Sequence, residues 1–153
     1  MVRRAGAALA VLVLALAALA AACGGGGDDD EPEASVTPVA PTDGVLNVRA
    51  FEWGFEPAAL LLTQDETVTI QLQNDGRVLH NFKVNDMPAE VLVSDSTGPL
   101  SADEGEVFVG ADGGVLGIME LVPLEAGTYT FYCTIAGHRE LGMEGTLTVQ
   151  PAP

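Results

Sequence analysis

The segment TYTFYCTIAGHRELGMEGTLTV, residues 128–149, decides the fold that the sequence predicts. It begins with polar and aromatic residues in alternation and ends with TLTV, and both patterns are typical of β-strands that bury one face. Between these strands, Cys133, His138 and Met143 are each separated from the next by four residues. A loop of this length can direct three side chains toward one point.

His80, which lies upstream in another strand-like stretch, completes a set of one thiolate, two imidazoles and one thioether. Singly, a buried cysteine, a hydrogen-bonded histidine or a gap-filling methionine is an ordinary core residue. Together they match a blue-copper electron-transfer site, which has a trigonal His₂Cys plane and a weak axial Met. Zinc would be better served by more Cys, His or carboxylate ligands. The sequence therefore predicts one copper ion bound by His80, Cys133, His138 and Met143.

Period-2 alternation extends over the region 45–153 and predicts an all-β domain. Turn sequences separate the strands, as in Asn74-Asp75-Gly76 and Asp112-Gly113-Gly114. Several short strands at such intervals favour a sandwich or a barrel. The residues predicted to share buried faces are Leu46, Val48 and Ala50; Val68, Ile70 and Leu72; Val78, His80, Phe82 and Val84; Tyr129, Phe131 and Cys133; and Leu147 and Val149.

This alternation also directs two of the donors inward. His80 shares its face with Phe82, and Cys133 shares its face with Phe131, so both polar side chains are expected to point into the core. An inward histidine without a partner would be a buried, unsatisfied polar group. Asn81 points to the opposite face, where it is either an ordinary strand-end residue or a residue that ties the two ligand regions together. The acidic stretch 87–114 is predicted to be irregular.

The N-terminus has the features of an export signal. Arg3 and Arg4 precede an apolar stretch that ends in small residues, which predicts a signal peptide over residues 1–22. A cysteine directly after the small residues resembles the bacterial lipobox, and this resemblance implies that Cys23 is lipidated. Simple secretion and an uncleaved membrane helix are the alternatives. Residues 23–44 are rich in Gly, Asp and Pro and are predicted to form a flexible tether.

The composition excludes several functions. The net charge is −16, and loss of residues 1–22 would leave 22 acidic and four basic residues, a charge of −18. Such a charge argues against nucleic acid and anionic headgroups as partners, and it is compatible with a basic partner or with a merely soluble surface. The chain has two histidines, and the copper site uses both. No histidine remains for a general base or for a second catalytic copper, and no phosphate-binding glycine motif lies between a strand and a helix. We therefore expect no enzymatic activity and no small-molecule substrate.

Three stretches resemble the cupredoxins, the superfamily of type 1 blue-copper proteins. FYCTIAGHRELGM (131–143) is similar to their C-terminal ligand loop, VLHNF (78–82) to their first-histidine segment, and FEWGFEP (51–57) to their opening strands. The spacing between Cys133 and His138 is closer to auracyanin and rusticyanin than to plastocyanin. The resemblance implies a Greek-key β-sandwich of seven to eight strands with one type 1 copper.

The same resemblance implies how electrons would pass. The ring edge of His138 would reach the surface through an apolar patch, and Tyr132 would be either a second route or a plain surface aromatic. We therefore expect a single-electron carrier, tethered as a lipoprotein at the extracytoplasmic, periplasmic side of the membrane. Expected partners are c-type cytochromes, respiratory or photosynthetic complexes, or copper oxidases and reductases. The alternative is a periplasmic copper carrier or chaperone, which the scarcity of Met and His disfavours.

Overall fold

The computed structural model describes residues 36–103 and 105–153. The predicted signal peptide, Cys23 and most of the predicted tether lie outside the described residues. Within the described ranges, no helix is long and apolar enough to cross a membrane.

The regular structure of the described residues consists of ten β-strands without any helix. Most are short, and the predicted turns at residues 74–76 and 112–114 each separate two consecutive strands. The strands are β1 (Val45–Phe51), β2 (Gly54–Glu56), β3 (Ala59–Thr63), β4 (Val68–Asn74), β5 (His80–Val84), β6 (Ala89–Asp95), β7 (Phe108–Ala111), β8 (Leu116–Pro123), β9 (Gly127–Tyr132) and β10 (Glu144–Gln150).

These strands form two five-stranded sheets, in the orders β2-β1-β4-β8-β6 and β3-β10-β9-β5-β7. Neighbours are antiparallel except for β1 with β4 and β3 with β10, which are parallel. The predicted all-β, Greek-key sandwich is therefore confirmed. The predicted number of seven to eight strands is too low, because the structure adds the three-residue strand β2 and two strands within residues 87–114.

The core lies between the sheets and follows the predicted alternation. In β1 and β4 every second residue is buried, and so are Leu147 and Val149 of β10. Phe82 and Phe131, from β5 and β9, stack with their ring centroids 4.7 Å apart. Phe55 packs edge-on against both rings. The two strands that carry His80 and lead to Cys133 are thus fixed by a close-packed aromatic cluster directly beneath them.

The prediction that residues 87–114 are irregular is wrong, because they contain β6 and β7. β6 lies at the edge of its sheet and is mostly exposed, with a bulge between Val91 and Val93. A strand that is bulged and exposed along most of its length lacks the clear alternation by which a strand is recognised. β7 is only four residues long, and all four are buried.

Two further differences concern strand ends. Val78 was predicted to share the buried face of His80, but it precedes β5 and is exposed, since the turn after β4 extends to residue 79. Val39 lies within the predicted tether, and its backbone donates to the Ala59 carbonyl and accepts from the Leu61 amide. The chain is therefore already hydrogen-bonded to the sandwich six residues before β1 begins.

Candidate metal centre

Three of the four predicted ligands converge at one end of the sandwich. His80 is the first residue of β5, Cys133 directly follows β9, and His138 lies in the loop that leads to β10. One potential ligand atom from each lies within 4.8 Å of the others. The Cys133 Sγ is 3.5 Å from the His138 Nδ1, and the two imidazole centroids are 5.1 Å apart. All three side chains are buried.

The loop between β9 and β10 is held by its own backbone hydrogen bonds. The Cys133 amide donates to the Met143 carbonyl at 3.1 Å, and the Met143 amide donates to the His138 carbonyl at 3.0 Å. Gly137, just before His138, has a φ of +84°, a conformation that favours glycine over residues with a Cβ. These bonds place the backbone of Met143 next to that of Cys133. The Met143 side chain is fully buried. Its role as an axial ligand remains a prediction.

Asn81 lies next to His80 and connects the two ligand regions through Thr134. Its side-chain amide donates to the Thr134 Oγ1 at 3.0 Å, and its carbonyl oxygen accepts from the Thr134 amide at 2.9 Å. Asn81 is fully buried. Because Thr134 immediately follows Cys133, this pair of bonds ties the start of β5 to the start of the ligand loop.

Asn74 has a comparable role that its sequence context did not reveal, since it was assigned only to a turn. The buried side chain donates to the carbonyls of Val78 and Ala111, both at 2.8 Å, and accepts from the Gly76 amide at 2.9 Å. It therefore shapes the turn that delivers His80 to the site.

Aromatic rings form part of the surface around the site. His138 exposes only 7% of its surface, because Trp53, from the turn between β1 and β2, packs edge-on against its ring at 4.7 Å. Tyr132 is half-buried, and the Arg139 guanidinium lies 4.4 Å above its ring. Trp53 was included in the cupredoxin-like opening stretch but was not predicted to reach the site. Its being the chain's one tryptophan was the only available signal.

The donor set fits a copper ion. Both ring nitrogens of His80 are buried and have no hydrogen-bond partner among the described residues. A buried polar group without a partner costs free energy, and most such groups in native proteins have a partner or an explanation. A metal ion bound by an imidazole nitrogen of His80, the Cys133 sulfur and His138 would be such a partner for the His80 ring. The soft thiolate in this set favours copper.

Burial shifts the pKa values of Cys133 and His80 in the metal-free protein. It raises the pKa of the Cys133 thiol, an effect opposed by the backbone amides of Asn81 and Ile135. It lowers the pKa of His80, as does the nearby His138, whereas Glu52 raises it. A neutral imidazole can bind a metal directly, but the thiol must lose its proton when the metal binds.

The lowered pKa of His80 predicts that the metal-free protein loses stability in mild acid. Below about pH 6.5 an unfolded chain protonates this histidine while the folded protein does not, so acid favours unfolding. We expect the free energy of unfolding to fall by up to about 1.4 kcal/mol per pH unit between the two pKa values. Denaturant unfolding from pH 7.5 to 5 measures this slope. His80→Gln should flatten it, and an unchanged slope in that variant would contradict the assignment.

Proteins of known family share this sequence pattern. The profile of the family described as copper binding proteins, plastocyanin/azurin family, matches residues 44–150. The copper-resistant cuproprotein CopI of Pseudomonas aeruginosa strain PAO1 is 31% identical over 128 residues, which cover 63% of this chain and 71% of that protein. The CopI of Rubrivivax gelatinosus is 31% identical over 100 residues, and the chain spans 59% of its length.

Solved structures show the same fold. Auracyanin from Roseiflexus castenholzii superposes with a TM-score of 0.56 at 19% identity, over 72% of this chain and 100% of that protein. Auracyanin B superposes with a TM-score of 0.55 at 22% identity, over 75% of this chain and 91% of that protein. A multicopper oxidase superposes with a TM-score of 0.54 at 20% identity, over 72% of this chain but 45% of the oxidase. With the family profile spanning both sheets and the His-Cys-His site, the chain belongs to the plastocyanin/azurin family of copper-binding proteins within the cupredoxin superfamily.

Proposed function

We propose that this protein is a single-electron carrier with one type 1 copper. The observation that supports this most strongly is the convergence of His80, Cys133 and His138 within 4.8 Å in a buried site. When bound, copper takes up and releases one electron by alternating between Cu(I) and Cu(II). The chain's contribution is to hold the donors in place and to exclude water.

The rigidity of the site supports this role. A His₂Cys set suits both copper states, so electron exchange needs little rearrangement if the donors cannot move. His80 is fixed by β5 above the stacked Phe82 and Phe131 rings. The ligand loop is closed by the hydrogen bonds from the Cys133 amide to Met143 and from the Met143 amide to His138. Asn81 adds a direct connection between the two parts.

The chain has few groups for substrate chemistry of its own. Both of its histidines lie in the one site, so this chain offers no further imidazole for a second copper centre or for proton transfer. The multicopper oxidase with a similar fold is more than twice as long as the part that this chain covers. We therefore propose an electron-transfer protein rather than an enzyme.

Optical and EPR spectroscopy of the copper-loaded protein, followed by redox titration, test this proposal. We expect an intense blue band from thiolate-to-copper charge transfer and a reversible one-electron reduction without loss of copper. A colourless Cu(II) protein with an ordinary square-planar EPR spectrum would contradict a type 1 site. Copper that leaves on reduction would contradict a carrier of electrons.

The second candidate function is that of a copper carrier or chaperone. It is favoured by the two relatives, which are named copper-resistant cuproproteins. Burial of all three donors disfavours it, because a carrier has to release its ion readily. Transfer of copper to an apo-acceptor protein, measured alongside electron transfer to a c-type cytochrome, separates the two functions.

We further propose that the protein works at the extracytoplasmic face of the membrane, anchored through a lipid on Cys23. The features that support this are the apolar stretch before Cys23 and the Gly- and Pro-rich segment after it. Proposed partners are c-type cytochromes, respiratory or photosynthetic complexes, and copper oxidases or reductases. Three of the four bases in the described region are paired with carboxylates, so its uncompensated charge is strongly negative and would attract a basic partner surface.

Met143→Gln should lower the reduction potential while the copper stays bound. An amide oxygen is a harder donor than a thioether and favours Cu(II), and the axial ligand tunes the potential of such sites. We expect a shift larger than about 59 mV, which is tenfold in the ratio of the two copper states. Redox titration of the copper-loaded variant measures it.

Met143→Leu is the matched control, since it keeps the buried volume and removes the donor. It should raise the potential, because Cu(II) loses a weak ligand. If neither variant changes the potential, Met143 is only a core residue.

A further inference from the structure

The turn between β1 and β2 carries a tryptophan that covers the metal centre. The Trp53 ring meets the His138 imidazole at 4.7 Å between centroids and the His80 imidazole at 6.5 Å, both edge-on. Trp53 exposes 42% of its surface, whereas His138 exposes 7% and His80 none. The indole therefore lies between the two imidazoles and the solvent.

Glu52 fastens this turn to the segment that precedes His80. Its carboxylate accepts a hydrogen bond from the Arg77 amide at 2.5 Å. Hydrogen bonds from the backbone amides of Arg77, Glu52 itself and Val78 lower the pKa of this carboxyl, which keeps it ionised. An ionised carboxylate accepts hydrogen bonds more strongly than a protonated one, so this contact anchors the turn.

The two segments also fit closely at Gly76. A Cβ on this residue would lie 2.8 and 2.9 Å from the two Glu52 carboxylate oxygens and 2.9 Å from the His80 Nε2. A Cβ at these distances would force the Glu52 carboxylate or the His80 ring to shift, so glycine at this position allows the two to lie close together. The position of Trp53 is thus fixed by an anchored, closely packed turn.

We propose that Trp53 is the cap of the copper site and controls how fast copper can leave. The other sides of the site are closed, because Cys133, Met143 and His80 expose at most 1% of their surfaces. The remaining exposed surface of the donor set belongs mainly to His138, the residue that the indole contacts, so a chelator or water molecule that approaches this residue meets the indole. This inference rests on copper occupying the site, and it does not depend on whether the protein carries electrons or copper.

Release of copper to an excess of a strong chelator tests the cap. We expect Trp53→Ala to release copper at least about tenfold faster than the unchanged protein, and Trp53→Phe, which keeps a ring in place, to stay close to it. Phe51→Ala is the matched control, because Phe51 is a half-exposed aromatic at the end of β1, next to this turn, and its ring packs on Gly54. If Trp53→Ala leaves the rate unchanged, or if Phe51→Ala accelerates it equally, Trp53 is not the cap.

Two further measurements keep the outcome clear. Trp53 is the chain's one tryptophan, so stoichiometric Cu(II) should quench its emission, and unchanged emission would overturn the proposed proximity. Glu52→Ala, which removes the anchor and keeps the indole, should also accelerate release, whereas an unchanged rate would overturn the anchoring role. These measurements use no redox partner, so they test the cap separately from the proposed function. If the protein is blue and reversibly reduced but Trp53→Ala releases copper at the unchanged rate, only this inference is overturned.

Discussion

Cys133→Ser should abolish the intense blue absorption of the copper-loaded protein. The colour of a type 1 site arises from charge transfer from a thiolate sulfur to Cu(II), and Cys133 is the one cysteine of the described region. Its Sγ lies 3.5 Å from the His138 Nδ1, in the position from which it would bind the same ion as the imidazoles. A serine hydroxyl is a poor ligand for copper, so the affinity should fall as well. Absorption and EPR spectra of the variant, recorded at saturating Cu(II), measure both effects.

Met143→Leu serves as the comparison for this experiment, because it removes a sulfur from the same loop but leaves the thiolate. It should stay blue. Persistence of the blue band in Cys133→Ser would show that another group supplies the charge transfer, and it would remove Cys133 from the site.

Asn74→Ala should be the most destabilising of the polar substitutions near the site. It would leave the carbonyls of Val78 and Ala111 and the amide of Gly76 without the hydrogen bonds that Asn74 now gives them. A buried group that loses its partner costs about 1–3 kcal/mol, so we expect the free energy of unfolding of the metal-free protein to fall by about 3 kcal/mol or more. Denaturant unfolding measures it.

Asn81→Ala provides a graded comparison and Asn85→Ala a surface control. Asn81 loses two bonds to Thr134, which is itself exposed and can turn to water, so the cost should be smaller, about 1–2 kcal/mol. Asn85 is exposed and bonds only to the neighbouring Asp86 through its side chain, so its loss should be within about 0.5 kcal/mol. Equal effects at all three positions would contradict the special role of Asn74.

The sequence predicted the sandwich and the three converging donors because both depend on local pattern. In a strand the side-chain direction repeats every two residues, so His80 with Phe82, and Cys133 with Phe131, could be assigned to the core. The spacing from Cys133 to His138 then restricted the second imidazole to the same end of the sheet. The structure bears out both the fold and this convergence.

Trp53, Glu52 and Asn74 could not be found in this way, because their contacts depend on how separate segments meet. The turn between β1 and β2 is far in sequence from His138, and only the packing of the two sheets brings it over the site. The strands in 87–114 were missed for a different reason. β6 is bulged and solvent-facing, and β7 is too short for alternation to be recognised.

The pairing of Val39 with β3 has a consequence for how the protein avoids self-association. β3 is the last strand of its sheet, and such a strand offers free amide and carbonyl groups to any neighbouring polypeptide. Residues around Val39 occupy part of that border by bonding to Ala59 and Leu61. The segment that precedes β1 thus covers part of the exposed sheet edge at β3. A shortened chain starting at β1 would leave the backbone groups of this edge free to pair with another molecule and would be expected to oligomerise.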